Sequence, residues 1–115
     1  MRSGFAIALA GLVLAGCSTP QTELELNRAS AALQRIQADS MVQRSAPKDI
    51  QRALETQQRA ERFNQYWGGA ADARHYAYLS QRYSEIAARQ GELLQHQEQV
   101  VCLEMERDRL RRMLQ

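Results

Sequence analysis

The sequence predicts an all-α protein: a helical hairpin within an elongated three-helix arrangement, closed by a long C-terminal helix. Three observations carry this. From Leu24 onward Ala, Gln, Arg, Glu and Leu dominate, and all are good helix formers. Beyond a short polar tether, clustered breakers occur in only two places, Ser45-Ala46-Pro47-Lys48-Asp49 and Trp67-Gly68-Gly69. Between them, apolar residues recur at helical spacing.

The first helix is expected over about 24–44. Its stripe is Leu26, Ala29, Leu33 and Ile36, at successive steps of 3, 4 and 3. Pro47 ends it, because proline disfavours helix in the preceding residue, and proline also suits the first turn of the next. The second helix follows over about 48–66, with Ile50, Ala53, Leu54, Ala60, Phe63 and Trp67 facing inward. Gly68-Gly69 then supplies a turn, since glycine tolerates the positive φ that a helix C-cap demands.

The third helix is expected over about 70–113, with Leu79, Tyr83, Ile86, Leu93 and Val100 on one face and Gln90 and Gln97 interrupting it. Gly91 lies isolated within it. At 1.5 Å per residue this helix is about 60 Å long, so the second can cover only its first half. The remainder, Gln95 to Gln115, must pack on the first helix, pair with another chain, or fray. Seven-residue steps through Ile86, Leu93, Val100, Arg107 and Leu114 outline a weak coiled-coil seam. A solvated helix with a narrow apolar stripe accounts for the same pattern.

The chain opens differently. Arg2 precedes Phe5–Leu14 (FAIALAGLVL), an uncharged apolar run of ten residues. A bilayer core takes roughly 20 helical residues, so this run suits the h-region of a secretory leader. It ends in Leu14-Ala15-Gly16-Cys17. That sequence resembles a bacterial lipobox. The resemblance implies a signal peptide over 1–16, a diacylglyceryl group on the Cys17 thiol, cleavage before it and acylation of the new amine. Residues 17–23 would then be the lipidated N-terminus and tether, and 24–115 the helical domain. Two or more acyl chains hold a protein stably at a membrane, so no protein segment need insert. The alternative is an ordinary leader, or a buried N-terminal helix, with Cys17 incidental. In lipoproteins of this type an Asp after the Cys retains the protein at the inner membrane. Ser18, Thr19 and Pro20 stand here instead. That resembles sorting to the outer membrane, on its periplasmic face.

Charge excludes one class of partner. The 15 basic and 13 acidic residues nearly balance and are interleaved along most of the chain. Nucleic-acid binding needs a basic face, so none is expected. Once the leader is removed, Cys102 is the only remaining thiol besides the lipidated one. It is a candidate for an intermolecular disulfide, hence a homodimer, or a small buried apolar residue.

Aromatic residues crowd the glycine turn: Phe63, Tyr66, Trp67, Tyr76, Tyr78 and Tyr83. They could stack a glycan or peptide. The favoured reading is a hairpin core, with Tyr76, Tyr83, Phe63 and Trp67 inward and Tyr78 on the surface. The segments APKDIQRALETQQRA (46–60) and GGADARHYAYLSQRYSEIAARQ (69–90) resemble a family of small Gram-negative lipoproteins whose shared domain has no assigned function. The resemblance implies a helical hairpin in an envelope lipoprotein, often encoded beside OmpA-like proteins. It brings no catalytic residues with it.

Chemistry is sparse. His75 and His96, on one helix, would stand about 31 Å apart, too far to share a metal. Glu98, Glu104 and Glu106 surround Cys102 in sequence and disfavour a reactive thiolate. No phosphate-binding glycine loop, nucleophile elbow or spaced Cys/His set is present. Carboxylates fall as helix partners of arginine, such as Glu55 with Arg59 and Glu85 with Arg89. The only lysine is Lys48, and the C-terminal lysine that Lpp-type lipoproteins attach to peptidoglycan has no counterpart. The expected function is therefore structural or protein-interacting, without catalysis or cofactor. The expected surface comprises Trp67, Tyr78, Val100, Leu103 and Leu110, with an OmpA-like envelope protein as the partner implied by resemblance.

Overall fold

The computed structural model describes residues 19–115, all helical apart from short connections. Four helices follow in order: α1 (Pro20–Ala38), α2 (Ser40–Ser45), α3 (Pro47–Asn64) and α4 (Ala70–Leu114). The expected leader over 1–16 and the expected lipidation site Cys17 lie outside the described residues.

The polar tether is shorter than expected. Thr19 caps α1, its hydroxyl oxygen accepting from the Thr22 backbone N–H at 3.3 Å, and Pro20 occupies the first turn. That is a favoured helix start. The first expected helix is also two. It breaks at Asp39, whose carboxylate accepts from the N–H groups of Met41 and Val42 and caps α2. An Asp at the N-cap satisfies donors that an uninterrupted helix would have used otherwise.

Cross-helix pairs fix the arrangement. Gln81 reaches the Glu25 carbonyl and carboxylate, Val42 meets Gly91, and Arg44 pairs with Glu98. The numbers rise together, so α1 and α2 run parallel to α4. Phe63 stacks on Tyr76, Ser80 donates to the Ala53 carbonyl, and Gln90 donates to Asp49. There the numbers run oppositely, so α3 is antiparallel to α4.

The buried face of α4 is made of small residues: Ala73, Ala77, Ser80, Ser84, Ala87 and Gly91. Ala53 and Ala60 of α3 and Ala29 of α1 face them, each without solvent exposure. Small side chains let helix axes approach closely, so this seam is backbone-to-backbone packing. The expected face of α4 is therefore corrected in part: Tyr83 packs half-buried against the core and Leu79 is half-buried, but the rest of the stripe faces outward. Ile86, Leu93 and Val100 are 44%, 58% and 53% exposed. Bulky side chains at the seam would have forced the helices apart. Buried larger apolar groups gather towards α2, where Leu33, Ile36 and Val42 pack with Ala46, Ala53 and Ala87, while Leu26 and Tyr76 pack half-buried at the other end. The expected α1 stripe is the packed one, with Ala29, Leu33 and Ile36 buried and Leu26 half-buried.

Candidate interaction surfaces

The two glycines of the hairpin turn have different tasks. Gly68 takes φ +80°, a conformation costly for other residues. At Gly69 a β-carbon would lie 2.0 Å from the Phe63 carbonyl oxygen. That oxygen already accepts the Tyr66 N–H at 3.1 Å, so the chain turns in close contact with itself.

The turn splits the aromatic cluster. Phe63 and Tyr76 stack with centroids 5.3 Å apart and planes at 3°, and His75 meets Tyr76 edge-on at 5.5 Å. Arg59 lies 5.8 Å above the Tyr76 ring, and Arg52 lies 5.9 Å above that of Tyr83. Trp67 does not join them. It is 91% exposed, which corrects the inward position of the hairpin-core reading and leaves it available to the expected surface, and Tyr66 beside it is 67% exposed. The reason is the break in periodicity: α3 ends at Asn64, so Trp67 no longer follows the helical face that Phe63 occupies. Tyr78 is exposed on α4. Arg59, Arg62, Phe63, Tyr66 and Tyr76 line an open cleft of about 430 Å³ beneath the turn.

At the other end, α4 outruns its neighbours. α2 ends at Ser45, near the level of Glu98, where Arg44 and Glu98 approach to 2.8 Å. Every residue from Gln95 to Gln115 is exposed except Asp108, which is half-buried. The tail thus does not pack on α1. Val100, Leu103 and Leu110 are 53%, 64% and 50% exposed, and Leu114 is 88% exposed. Cys102 is free and exposed rather than buried.

Two apolar strips run along this tail. Leu93, Val100, Leu103, Leu110 and Leu114 follow each other in steps of 7, 3, 7 and 4, which keeps them on one side. Val101, Cys102 and Met105, with Gln97 and Glu98, line a second, shallow hollow of about 250 Å³. This hollow continues the small-residue seam past Gly91. The periodicity of large apolar residues does not mark this hollow, because the seam it continues is made of small ones.

Charge is segregated along the tail as well. From Gly91 to Glu106 there are four glutamates and no arginine or lysine. From Arg107 to Gln115 there are four arginines and one aspartate. Elsewhere the surface ion pairs differ from those expected: Glu85 pairs with Arg82, and Glu55 accepts from Gln51. Among the described residues no group of His, Cys, Asp or Glu is placed to hold a metal ion, and no helix is long and apolar enough to cross a membrane.

These features define a small helical-bundle domain in which three helices pack through a seam of small residues and the last projects well past the others. The chain belongs to the family described as Domain of unknown function (DUF4398), which it matches over residues 24–101. No curated protein matches it, and neither does any solved structure.

Proposed function

We propose that this chain is a periplasm-facing envelope lipoprotein, held at the outer membrane by acyl groups on Cys17, and that it acts as a structural or protein-interaction module without catalysis. The observation that supports the docking role is the tail of α4. Past Glu98, which Arg44 of α2 still reaches, it runs beyond the bundle, with Val100, Leu103 and Leu110 half or more exposed. A helix carrying such a strip is the usual ligand of an apolar groove. An OmpA-like envelope protein is the partner motivated by the sequence resemblance. Cross-linking in intact cells, followed by identification of the captured protein, tests this. Removal of residues 95–115 should abolish capture while leaving the bundle folded. Capture that survives this removal would place the docking surface elsewhere.

A second reading is favoured by the charge pattern. Two copies of the tail, laid antiparallel, bring the arginine block of each towards the glutamate block of the other. Parallel tails would set like against like. The leucine strip would then be a self-pairing seam, and the interface would be two-fold and self-complementary.

A further inference from the structure

The exposed aromatics of the turn stand at the same end of the bundle as Thr19, two residues after the cysteine proposed to carry the lipid. α1 and α3 run antiparallel, and the Gln57 side-chain amide donates to the Leu26 carbonyl at 3.4 Å. From that shared level, six residues back along α1 reach Pro20, and seven forward along α3 reach Asn64. At 1.5 Å per residue both paths cover about 10 Å, so the start of α1 is level with the end of α3. The turn at 65–69 begins there. Cys17 is two residues before Thr19, no more than about 7 Å of extended chain.

We infer that Trp67 and Tyr66 insert into the membrane interface beside the acyl anchor, so that the bundle stands on its glycine turn. The inference rests on the lipid-anchor reading of Cys17 and adds a second, protein-borne contact to it. Trp67 is 91% exposed. Tryptophan and tyrosine carry an apolar body with a polar edge, and they settle at the level of lipid headgroups. The turn holds them at the outermost point of the hairpin, where nothing shields them from a surface.

Charge does not drive the contact. Arg59, Arg62 and Arg74 lie near the turn, but so do Glu61 and Asp72. No polybasic cluster exists there to select anionic lipid. Insertion therefore proceeds equally on neutral and acidic membranes. The geometry also fixes the height of the docking surface. α4 begins at the turn, at Ala70. Thirty residues of helix, about 45 Å, separate Ala70 from Val100, so the tail meets its partner far from the bilayer.

Trp67 is the only tryptophan in the chain, so its fluorescence reports directly. The full acylated protein, purified from membranes, is reconstituted into phosphatidylcholine vesicles with and without brominated acyl chains. The expected result is blue-shifted emission, at least twofold quenching by bromine, and protection from aqueous iodide. The same values should appear when a third of the lipid is phosphatidylglycerol. A variant combining Trp67→Phe with Leu110→Trp moves the reporter to the tail and should show water-like, bromine-insensitive emission. Water-like and unquenched Trp67 in a protein whose Cys17 is acylated by mass would overturn the proposal and leave the anchor intact. Equal quenching at 67 and 110 would overturn it too, because the bundle would then lie flat. A Trp67 shift caused by soluble peptidoglycan fragments but not by lipid would assign the turn to a glycan. Unmodified Cys17 would remove the anchor and the proposal together, by a separate readout.

Discussion

Val42 rests on Gly91 so closely that a β-carbon at position 91 would stand 2.6 Å from its Cγ2 and 3.2 Å from its backbone nitrogen. This contact docks the short α2 onto α4 at the point where the bundle ends. Gly91 looks in the sequence like a tolerated helix breaker, and replacing it by alanine should gain about 1 kcal/mol of helix propensity. The contact reverses the sign. Valine is stiff at χ1, and the nearby backbone atoms cannot rotate away. Overpacking costs typically about 1–3 kcal/mol, so Gly91→Ala should lower stability by roughly 1 kcal/mol net in urea denaturation. Val42→Ala in the same chain should recover part of the loss, since the two sites are in contact. A plain gain in stability from Gly91→Ala would show that α2 is not docked.

The seam of α4 makes a contrasting pair of predictions. Ala77 is fully buried against Ala29 and Ala60, so Ala77→Leu has no space to fill and should destabilise by about 1–3 kcal/mol or more. Ser80 donates to the Ala53 carbonyl at 2.8 Å in a fully buried position, and Ser80→Ala should cost about 0.5–1.5 kcal/mol. Leu93→Gln, in the exposed strip, should stay within about 0.5 kcal/mol. Thermal melts followed by circular dichroism would rank the three. If Leu93→Gln proved the most harmful, the assignment of faces on α4 would be wrong.

These contrasts show what was legible beforehand. The all-α class, the α1 stripe, the start of α3 at Pro47 and the hairpin at Gly68-Gly69 were all readable, because they rest on local chemistry: propensity, spacing and the special residues of turns. The packed face of α4 was not. A periodicity argument weights large apolar side chains, whereas this seam is lined by alanine, serine and glycine. The pattern Ala73, Ala77, Ser80, Ser84, Ala87, Gly91 is regular in steps of 4 and 3, so the signal was present under a different residue class. The Asp39 break was also visible in Asp39-Ser40, an N-cap pair without a proline or glycine to mark it. The inward reading of Trp67 fails because it extends the helical register past Asn64, where the helix stops, whereas its place on the expected surface is compatible with its exposure. Among the candidate surfaces, the tail residues were named from sequence, but the hollow beside Cys102 needed the true seam.

The glycine turn separates two costs. Gly68 has open space around it and only its positive φ to defend. Gly68→Asn should therefore be mild and Gly68→Ala cost about 1–2 kcal/mol. Gly69→Ala places a methyl against a backbone carbonyl that cannot swing aside, so the turn must open. It should be the most destabilising of the three. Amide exchange at Tyr66 and Gly69, whose N–H groups are bonded across the turn, would report the opening directly. Equal effects at 68 and 69 would contradict the close approach.

The tail supplies the last test, because its two apolar strips predict different dimers. Cys102 follows Val100 by two residues, about 200° round a helix of 3.6 residues per turn, so it points nearly away from the leucine strip. Antiparallel pairing through Leu93, Val100, Leu103 and Leu110 therefore leaves the two thiols on outer faces. If the tails self-associate in this way, light scattering should show a dimer whose non-reducing gel still runs as a monomer, and Cys102→Ser should not change its mass. Salt should weaken the dimer, since opposed glutamate and arginine blocks are screened beyond about 8–10 Å at physiological ionic strength. Glu104→Lys with Glu106→Lys leaves two of the four glutamates opposed by two lysines, cancels the block's net charge and should dissociate the dimer. A disulfide-linked band that accounts for all of the dimer would instead place the contact on the Val101–Cys102–Met105 hollow, the uncovered continuation of the bundle's own seam. Monomer at every concentration would leave the strip to a different protein.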